Sequence, residues 1–276
     1  MRCPLKLLTI NTHSLLEEEY DRKCREFVRG ILKHYPDVIA MQEVNQTLGE
    51  EIVDNQSFIG TVPLRKDNHA LRIMEMLREN GADYNMVWAG IKQGYGKFEE
   101  GLAFLTKQPF CDTKTFQISA CEEFSNWKTR KGLLLKCGND YFCNLHFGWW
   151  DDSEEPFLKQ WEKVNNKLQP YNNVFLLGDF NSASHVRGEG YDLVCSCGWY
   201  DTYQEAIIKD EGYTVKGKIA GWKEVDSENK MRIDYIFSKN KEIVVSSVRL
   251  FNNINGEEIS DHYGVLVEIE RENKLL

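Results

Sequence analysis

Side chains that carry oxygen or nitrogen recur where apolar runs stop. Asn11 follows Leu7-Leu8-Thr9-Ile10, Glu43 follows Val38-Ile39-Ala40-Met41-Gln42, and His146 follows Cys143-Asn144-Leu145. Asp179 and Asn181 close Leu177-Gly178-Asp179-Phe180-Asn181, Asp234 sits in Arg232-Ile233-Asp234-Tyr235, and Asp261 and His262 are adjacent. Any one of these alone reads as a turn former or a helix cap. Together they are mostly hydrogen-bond acceptors and require a cationic partner. Carboxylate and amide oxygens suit a hard divalent ion, Mg²⁺ or Mn²⁺. A zinc set does not compete: the 8 cysteines include no CxxC pair, and Cys195 and Cys197 have no second Cys/His pair beside them.

Bringing such a set to one place needs a regular scaffold, and the apolar periodicity supplies one. Leu5–Asn11 reads as a strand. Tyr20, Cys24, Phe27, Val28, Ile31 and Leu32 recur at helical spacing and predict a helix with one buried face. The short apolar run 37–42 reads as a buried strand; Asp67 is expected to cap a helix carrying Leu71, Met74 and Leu77, with Gly81 ending it. Further strands are expected over 84–88, 102–106, 133–136, 141–146, 174–178, 232–237, 243–250 and 265–269. Asp152-Ser153-Glu154-Glu155 has the form of a capping box ahead of a helix bearing Phe157, Trp161, Val164 and Leu168. Early strands alternate with helices, and later ones follow closely enough to pair antiparallel. The expectation is one α/β domain over 1–276, with two packed mixed sheets covered by helices. Sites in α/β folds gather at the C-terminal ends of strands, where the polar residues fall.

These residues also carry a family resemblance. Leu177-Gly178-Asp179-Phe180-Asn181 and Ser260-Asp261-His262-Tyr263 resemble signatures of the endonuclease/exonuclease/phosphatase superfamily, whose fold is that of pancreatic DNase. Gln42-Glu43, Glu100-Gly101-Leu102-Ala103-Phe104-Leu105, Leu145-His146 and Ile233-Asp234-Tyr235 continue the match in the family's chain order, from residue 7 to 269. The resemblance implies a four-layered α/β sandwich and hydrolysis of a phosphoric ester with a divalent metal at one edge. It implies Glu43 as the main metal ligand, Asn11 in or beside its coordination sphere and Asp261 as a second carboxylate there. Asp179 would orient and deprotonate the attacking water, and Asn181, two residues on in a turn, would hold the phosphate. His262 would hydrogen-bond a phosphoryl oxygen, with Asp234 orienting its ring and raising its pKa. His146 resembles the second catalytic histidine, with Glu100 as its partner, and Arg130 falls where some members carry a phosphate-contacting arginine. His13 could reach the site from its strand end, while His34, His69 and His185 read as surface or structural.

The substrate is narrowed by two segments. Ser125-Asn126-Trp127-Lys128-Thr129-Arg130-Lys131, paired with His146-Phe147-Gly148-Trp149-Trp150-Asp151-Asp152, resembles the bacterial maltose 6′-phosphate phosphatases of the superfamily. The Asn11-Thr12-His13-Ser14 start and the 94–101 segment fit the same group. Trp149 and Trp150 could supply an apolar face for a sugar ring, or one of them could be core. Acids at 151, 152, 154 and 155 could accept hydroxyl hydrogen bonds, although Glu154 and Glu155 read better as helix caps. Lys128 and Arg130 could bind a phosphomonoester, or the basic run could be a solvated edge. The implied partner is a small phosphorylated sugar, with a DNA phosphodiester as the alternative. Residues 183–230 carry few motifs, but their Trp199, Trp222 and glycines could shape substrate choice.

Composition is consistent with that reading. A chain of 276 residues with 42% hydrophobic and 28% charged residues buries a sizeable core, which excludes disorder of the whole. The net charge of −9 and a pI near 5.3 argue against a protein that tracks nucleic-acid phosphates. No apolar run approaches the ~18 residues of a membrane helix, and the first apolar run is too short for a signal sequence. The expectation is a reduced, cytoplasmic protein of unassigned oligomeric state.

Overall fold

The computed structural model describes residues 4–217 and 230–271, so Trp222 and Cys3 lie outside the described residues. Strand β1 (Leu5–Asn11) runs parallel to β2 (Val38–Thr47), and the crossover is helix α1 (Tyr20–His34). Helix α1 buries Cys24, Phe27, Val28 and Ile31, the stripe its spacing predicts. Helix α2 (His69–Glu79) leads into a hairpin of β3 (Asn85–Gly94) and β4 (Phe98–Thr106), and Tyr95 and Gly96 take positive φ at its turn. Strands β5 (Asp112–Gln117), β6 (Lys131–Cys137) and β7 (Asp140–His146) form an antiparallel meander. Helix α3 (Phe157–Leu168) then crosses to β8 (Val174–Asp179), which pairs parallel to β7.

The remaining elements are short until the last three strands. They are α4 (Gly190–Ser196), β9 (Tyr200–Asp201), α5 (Thr202–Glu205), β10 (Ile208–Lys209), β11 (Val215–Lys216) and β12 (Lys230–Met231). Strands β13 (Asp234–Ser238), β14 (Val244–Leu250) and β15 (Gly264–Ile269) complete the chain. One sheet has the order β10-β14-β15-β1-β2-β4-β3 and the other β5-β6-β7-β8-β13-β9; β11 and β12 pair separately.

Alternation along the strands sorts the core into layers. Leu7, Val38, Ala40 and Phe104 of the first sheet meet Leu133, Phe142, Phe175 and Leu177 of the second between the sheets. Leu8, Ile10, Ile39 and Met41 point the other way, onto α1 and α2. Leu134, Cys143, Leu145 and Leu176 pack on Trp161 and Val164 of α3. The result is the expected four-layered α/β sandwich. Under its polar edge, Asn144 of β7 donates to the carbonyls of Met41 (3.0 Å) and Ala103 (2.9 Å) and accepts from Gln42 Nε2 at 2.7 Å.

Local expectations are corrected at two helix starts. Asn68, not Asp67, caps α2, accepting from Leu71 N, while Asp67 accepts from Thr47 N instead. Asp152 does accept from the backbone of Glu154 and Glu155, but α3 begins only at Phe157, behind Pro156. Glu155 is no cap: its carboxylate accepts from Ala120 N and Cys121 N, both at 2.7 Å. Among the described residues no helix is long and apolar enough to cross a membrane, and the cysteines are free.

Candidate active site

Three of the polar strand ends are rungs of one ladder. In register, His146 of β7 lies opposite Asp179 of β8, and Asp179 lies opposite Asp234 of β13. The sequence Leu-Gly-Asp makes the close packing possible. A Cβ on Gly178 would stand 1.9 Å from the Leu145 carbonyl oxygen, so only glycine lets β8 approach β7 there. Beyond the strand end, Asn181 takes a positive φ of 45°, its backbone N–H donating to Asp179 Oδ1 (2.9 Å) and its Nδ2 to the Phe147 carbonyl (2.9 Å).

The first sheet delivers Glu43 by a different device. Pairing between β2 and β4 shifts register between Met41 and Val44, and Glu43 within that bulge has φ 51°. A bulge turns a side chain out of the strand's regular alternation, here into the cleft. Ser14 Oγ holds the exposed backbone, donating to the Glu43 carbonyl at 2.7 Å. At the end of β1, Asn11 Nδ2 donates to Glu43 Oε1 (2.9 Å) and to Asp179 Oδ2 (3.1 Å), tying the two sheets together.

Burial and neighbouring charges then set the protonation states. His262 is buried, which alone would disfavour its charged form, but the carboxylates of Asp234 and Asp179 outweigh that and raise its pKa well above the ordinary value. Its Nδ1 lies 2.9 Å from Asp234 Oδ2, which directs Nε2 toward Asp179, 3.9 Å away. His146 goes the other way: burial, then Arg130 and Lys92, depress it well below the ordinary value. Burial, with Asp234 beside it, pushes Asp179 up to about 7. Glu43 is raised by burial and by Glu100 and Asp261.

Glu43, His146, Asp179, Asn181 and His262 face one cavity of about 640 Å³, with Asn11 and Asp234 bonded behind them; its walls also include His13, Lys92, Tyr95, Glu100, Trp127, Arg130, Trp149 and Asp261. Trp149, not Trp150, faces the cleft, its ring 6.1 Å from that of Trp127. Trp150 packs instead against Phe157 in the helix-side core, because consecutive residues after β7 leave on opposite sides. Lys128 is likewise corrected: its ammonium is held by Asp152 (2.9 Å) and Glu154 (3.0 Å), outside the cavity lining. Glu100 pairs with Lys92 at 3.1 Å rather than with His146, whose Nε2 faces Asp179 (3.6 Å) and Glu43 (4.0 Å). Arg130 is buried in the wall, donating to the carbonyls of Trp127 and Thr129.

Lys92 and Gln93 of the cavity lining escaped the sequence reading. Lys92 stands alone in the apolar run of β3, a signal that could have flagged it as a buried charge; Trp127 had only its place in a motif. His13 does reach the cavity from its strand end, with Nδ1 2.6 Å from Glu17 Oε1.

The donor set fits a hard divalent cation. Glu43 and Asp261 line the cavity and Asn11 is bonded to Glu43; burial first, then repulsion from Glu100 and Asp261, raises Glu43, and a cation relieves that repulsion. Among the described residues, ligand atoms of Asp179, Asp234 and His262, and of His13, Glu17 and Asp261, lie within 4.8 Å of one another.

Comparison with known proteins agrees with this arrangement. A sequence profile described as the Endonuclease/Exonuclease/phosphatase family matches residues 8–262. A protein of the same description from Leptotrichia buccalis superposes with a TM-score of 0.84 at 32% identity, covering 97% of this chain and 100% of that one. A mannosyl-6-phosphatase from Bacteroides thetaiotaomicron superposes at 0.63 with 19% identity, covering 97% and 100%. A 3′ phosphatase from Neisseria, bound to a product DNA hairpin, superposes at 0.64 with 14% identity over 97% and 100%. At these last two identities the likeness concerns the fold alone. Comparison with curated protein sequences gave no match.

Proposed function

The chain belongs to the endonuclease/exonuclease/phosphatase family of hydrolases, and from that premise we propose that it is a metal-dependent phosphomonoesterase acting on a phosphorylated sugar, maltose 6′-phosphate or a similar disaccharide phosphate. One observation carries the reading: the cavity that holds Asp179, His146 and His262 is walled on one side by Trp127 and Trp149. Aromatic faces beside a phosphate site give a sugar ring an apolar surface on which to lie. Cationic groups support the same choice. Lys92 and Arg130 are buried in the cavity wall rather than spread along a face that would track several phosphates, and the net charge is −9.

In the proposed mechanism Glu43, Asn11 and Asp261 hold the cation, which when bound neutralises charge on the phosphoryl oxygens. Asp179 orients a water molecule and accepts its proton as the water oxygen forms its bond to phosphorus and the bond to the sugar oxygen breaks, that oxygen taking a proton from solvent to leave as the alcohol. Its raised pKa, about 7, suits a base that works near neutrality. His262, charged and fixed by Asp234, donates to a phosphoryl oxygen, where negative charge grows. Asn181 and Arg130 hold the remaining phosphoryl oxygens, and neutral His146 completes the floor.

Phosphate release with Mg²⁺, measured across maltose 6′-phosphate, monosaccharide 6-phosphates, and abasic and duplex DNA, tests this. Turnover of the disaccharide phosphate without DNA cleavage is expected. Efficient DNA nicking with no sugar-phosphate turnover would move the chain to the nuclease reading.

A further inference from the structure

We propose that Lys92 is a specificity-determining residue that, with Arg130, selects the dianion of a phosphomonoester over the monoanion of a diester. The proposal rests on the phosphomonoesterase reading and adds to it a residue with no role in the mechanism above. Lys92 enters the cavity from β3, the outermost strand of its sheet, and is only 7% exposed. Its ammonium pairs with Glu100 Oε1 at 3.1 Å, and Glu100 is 5% exposed. Arg130, at 5%, is its electrostatic neighbour: burial and then Arg130 make Lys92 easier to deprotonate, and burial does the same to Arg130 against the pull of Glu100, Glu43 and Asp179.

The Arg130 side chain is the second observation. Its Nε is buried with no hydrogen-bond partner, its Nη1 bonds go to backbone carbonyls, and among the described residues no carboxylate approaches it closely enough for an ion pair. The indole Nε1 of Trp149, in the same wall, is also buried without a partner. Buried donors are nearly always satisfied, and a buried cation left unpaired is costly. A small crevice beside the cavity shares Lys92, Glu100, Arg130 and His146 with its lining. The missing partner is therefore an anion that enters from the cavity and is shared by Lys92 and Arg130. A diester offers one negative charge to such a wall. A monoester at neutral pH offers up to two, and in a desolvated site the second charge is worth more than it is in water. Glu100 keeps Lys92 extended and paired until that charge arrives.

The test is binding of inorganic phosphate and of diethyl phosphate, measured by calorimetry with Mg²⁺ on the wild type, on Lys92→Met and on Lys92→Met/Glu100→Gln. The double variant removes both charges of the pair, so it guards against misfolding caused by a buried unpaired Glu100. The wild type is expected to prefer phosphate. In the variants that preference falls roughly tenfold to hundredfold, the scale of one lost charge-assisted hydrogen bond. Equal weakening of both ligands, or lowered melting temperature with the preference intact, assigns Lys92 a purely structural role and overturns the proposal. The outcome is separable from that of the sugar-phosphate reading. A preference lost with Lys92 in a protein that turns over no phosphorylated sugar keeps this assignment and removes only the substrate.

Discussion

Asn144, on the second sheet, donates its amide hydrogen to the carbonyl oxygen of Met41, on the first, at 3.0 Å, within a small buried polar group that includes Gln42 and Thr9. Met41 is the last residue of β2 before the register shift that frees Glu43, so its carbonyl lies where regular pairing stops. One buried amide thus satisfies a backbone group left by the bulge and fixes the spacing of the two sheets under the cleft.

Asn144→Leu keeps the branching of the side chain, adds some volume, and strands the carbonyls of Met41 and Ala103, while Gln42 Nε2 keeps only its bond to Thr9 Oγ1. A loss of about 2 kcal/mol or more is expected in urea unfolding. Turnover should fall beyond what the lost stability explains, because Glu43 loses its support. Unchanged stability would mean that water replaces the amide.

Asp179→Asn should leave folding almost untouched. The carboxyl is already near neutrality, held at about 7 by burial and Asp234, so a neutral amide adds little desolvation cost. Turnover should drop by ~10²–10⁴, the usual loss for a general base. Retained activity in single-turnover assays would place the base elsewhere.

A divalent ion should stabilise the fold by binding only its native state. At 100 times its dissociation constant, Mg²⁺ would contribute about 2.7 kcal/mol, seen as a higher melting temperature that a chelator reverses. Glu43→Gln should abolish the shift and, by removing one of several repelling acids, raise the metal-free melting temperature. A Mg²⁺ response preserved in that variant would remove Glu43 from the metal site.

Trp127→Ala tests the aromatic wall. Trp127 is 50% exposed at the cavity mouth, so truncation costs the fold little. KM for a disaccharide phosphate should rise roughly tenfold, the scale of ~1.4 kcal/mol of stacking, while kcat changes less. A fall in kcat alone would argue against a binding surface.

His69 predicts acid lability unrelated to catalysis. Its ring is buried against Tyr20, with Nδ1 2.9 Å from the hydroxyl and Nε2 unpartnered, and burial pushes its pKa down to about 3. The unfolded chain takes up this proton near the ordinary pKa of 6.5, whereas the folded chain does not. Stability is therefore full above about 6.5 and declines by about 1.4 kcal/mol per pH unit as pH falls toward 3. His69→Gln should flatten that slope in denaturant melts at pH 4–7; an unaltered slope would put the lability in other groups.

The polar edge was legible in sequence because strand ends announce themselves: an apolar run followed by Asn11, Glu43, His146 or Asp179 needs no tertiary knowledge. What the sequence hid was long-range. Strand β5 has one face in water and lies at a sheet edge, so Asp112–Gln117 carries little apolar signal. The pairing of Glu100 with Lys92 depends on the β3–β4 register, which itself shifts between Gly90 and Lys92. Neighbouring tryptophans are indistinguishable until the turn after β7 sends Trp149 to the cleft and Trp150 to the core.

The bulge at Glu43 changes the parity of its strand. Ile39 and Met41 face the helices at odd positions, and after the inserted residue it is Val44, at an even one, that does so. The strand is in effect written in two frames with the metal-side carboxylate at the junction. Deleting Glu43 would close the shift into strict alternation, leaving Val44 two places after Met41, on the same face and still opposite Gly101, so the strand would keep its faces while losing the carboxylate. The sheet does not need the bulge, only the site does: the extra residue is held in β2 at a positive φ for the sake of the cleft.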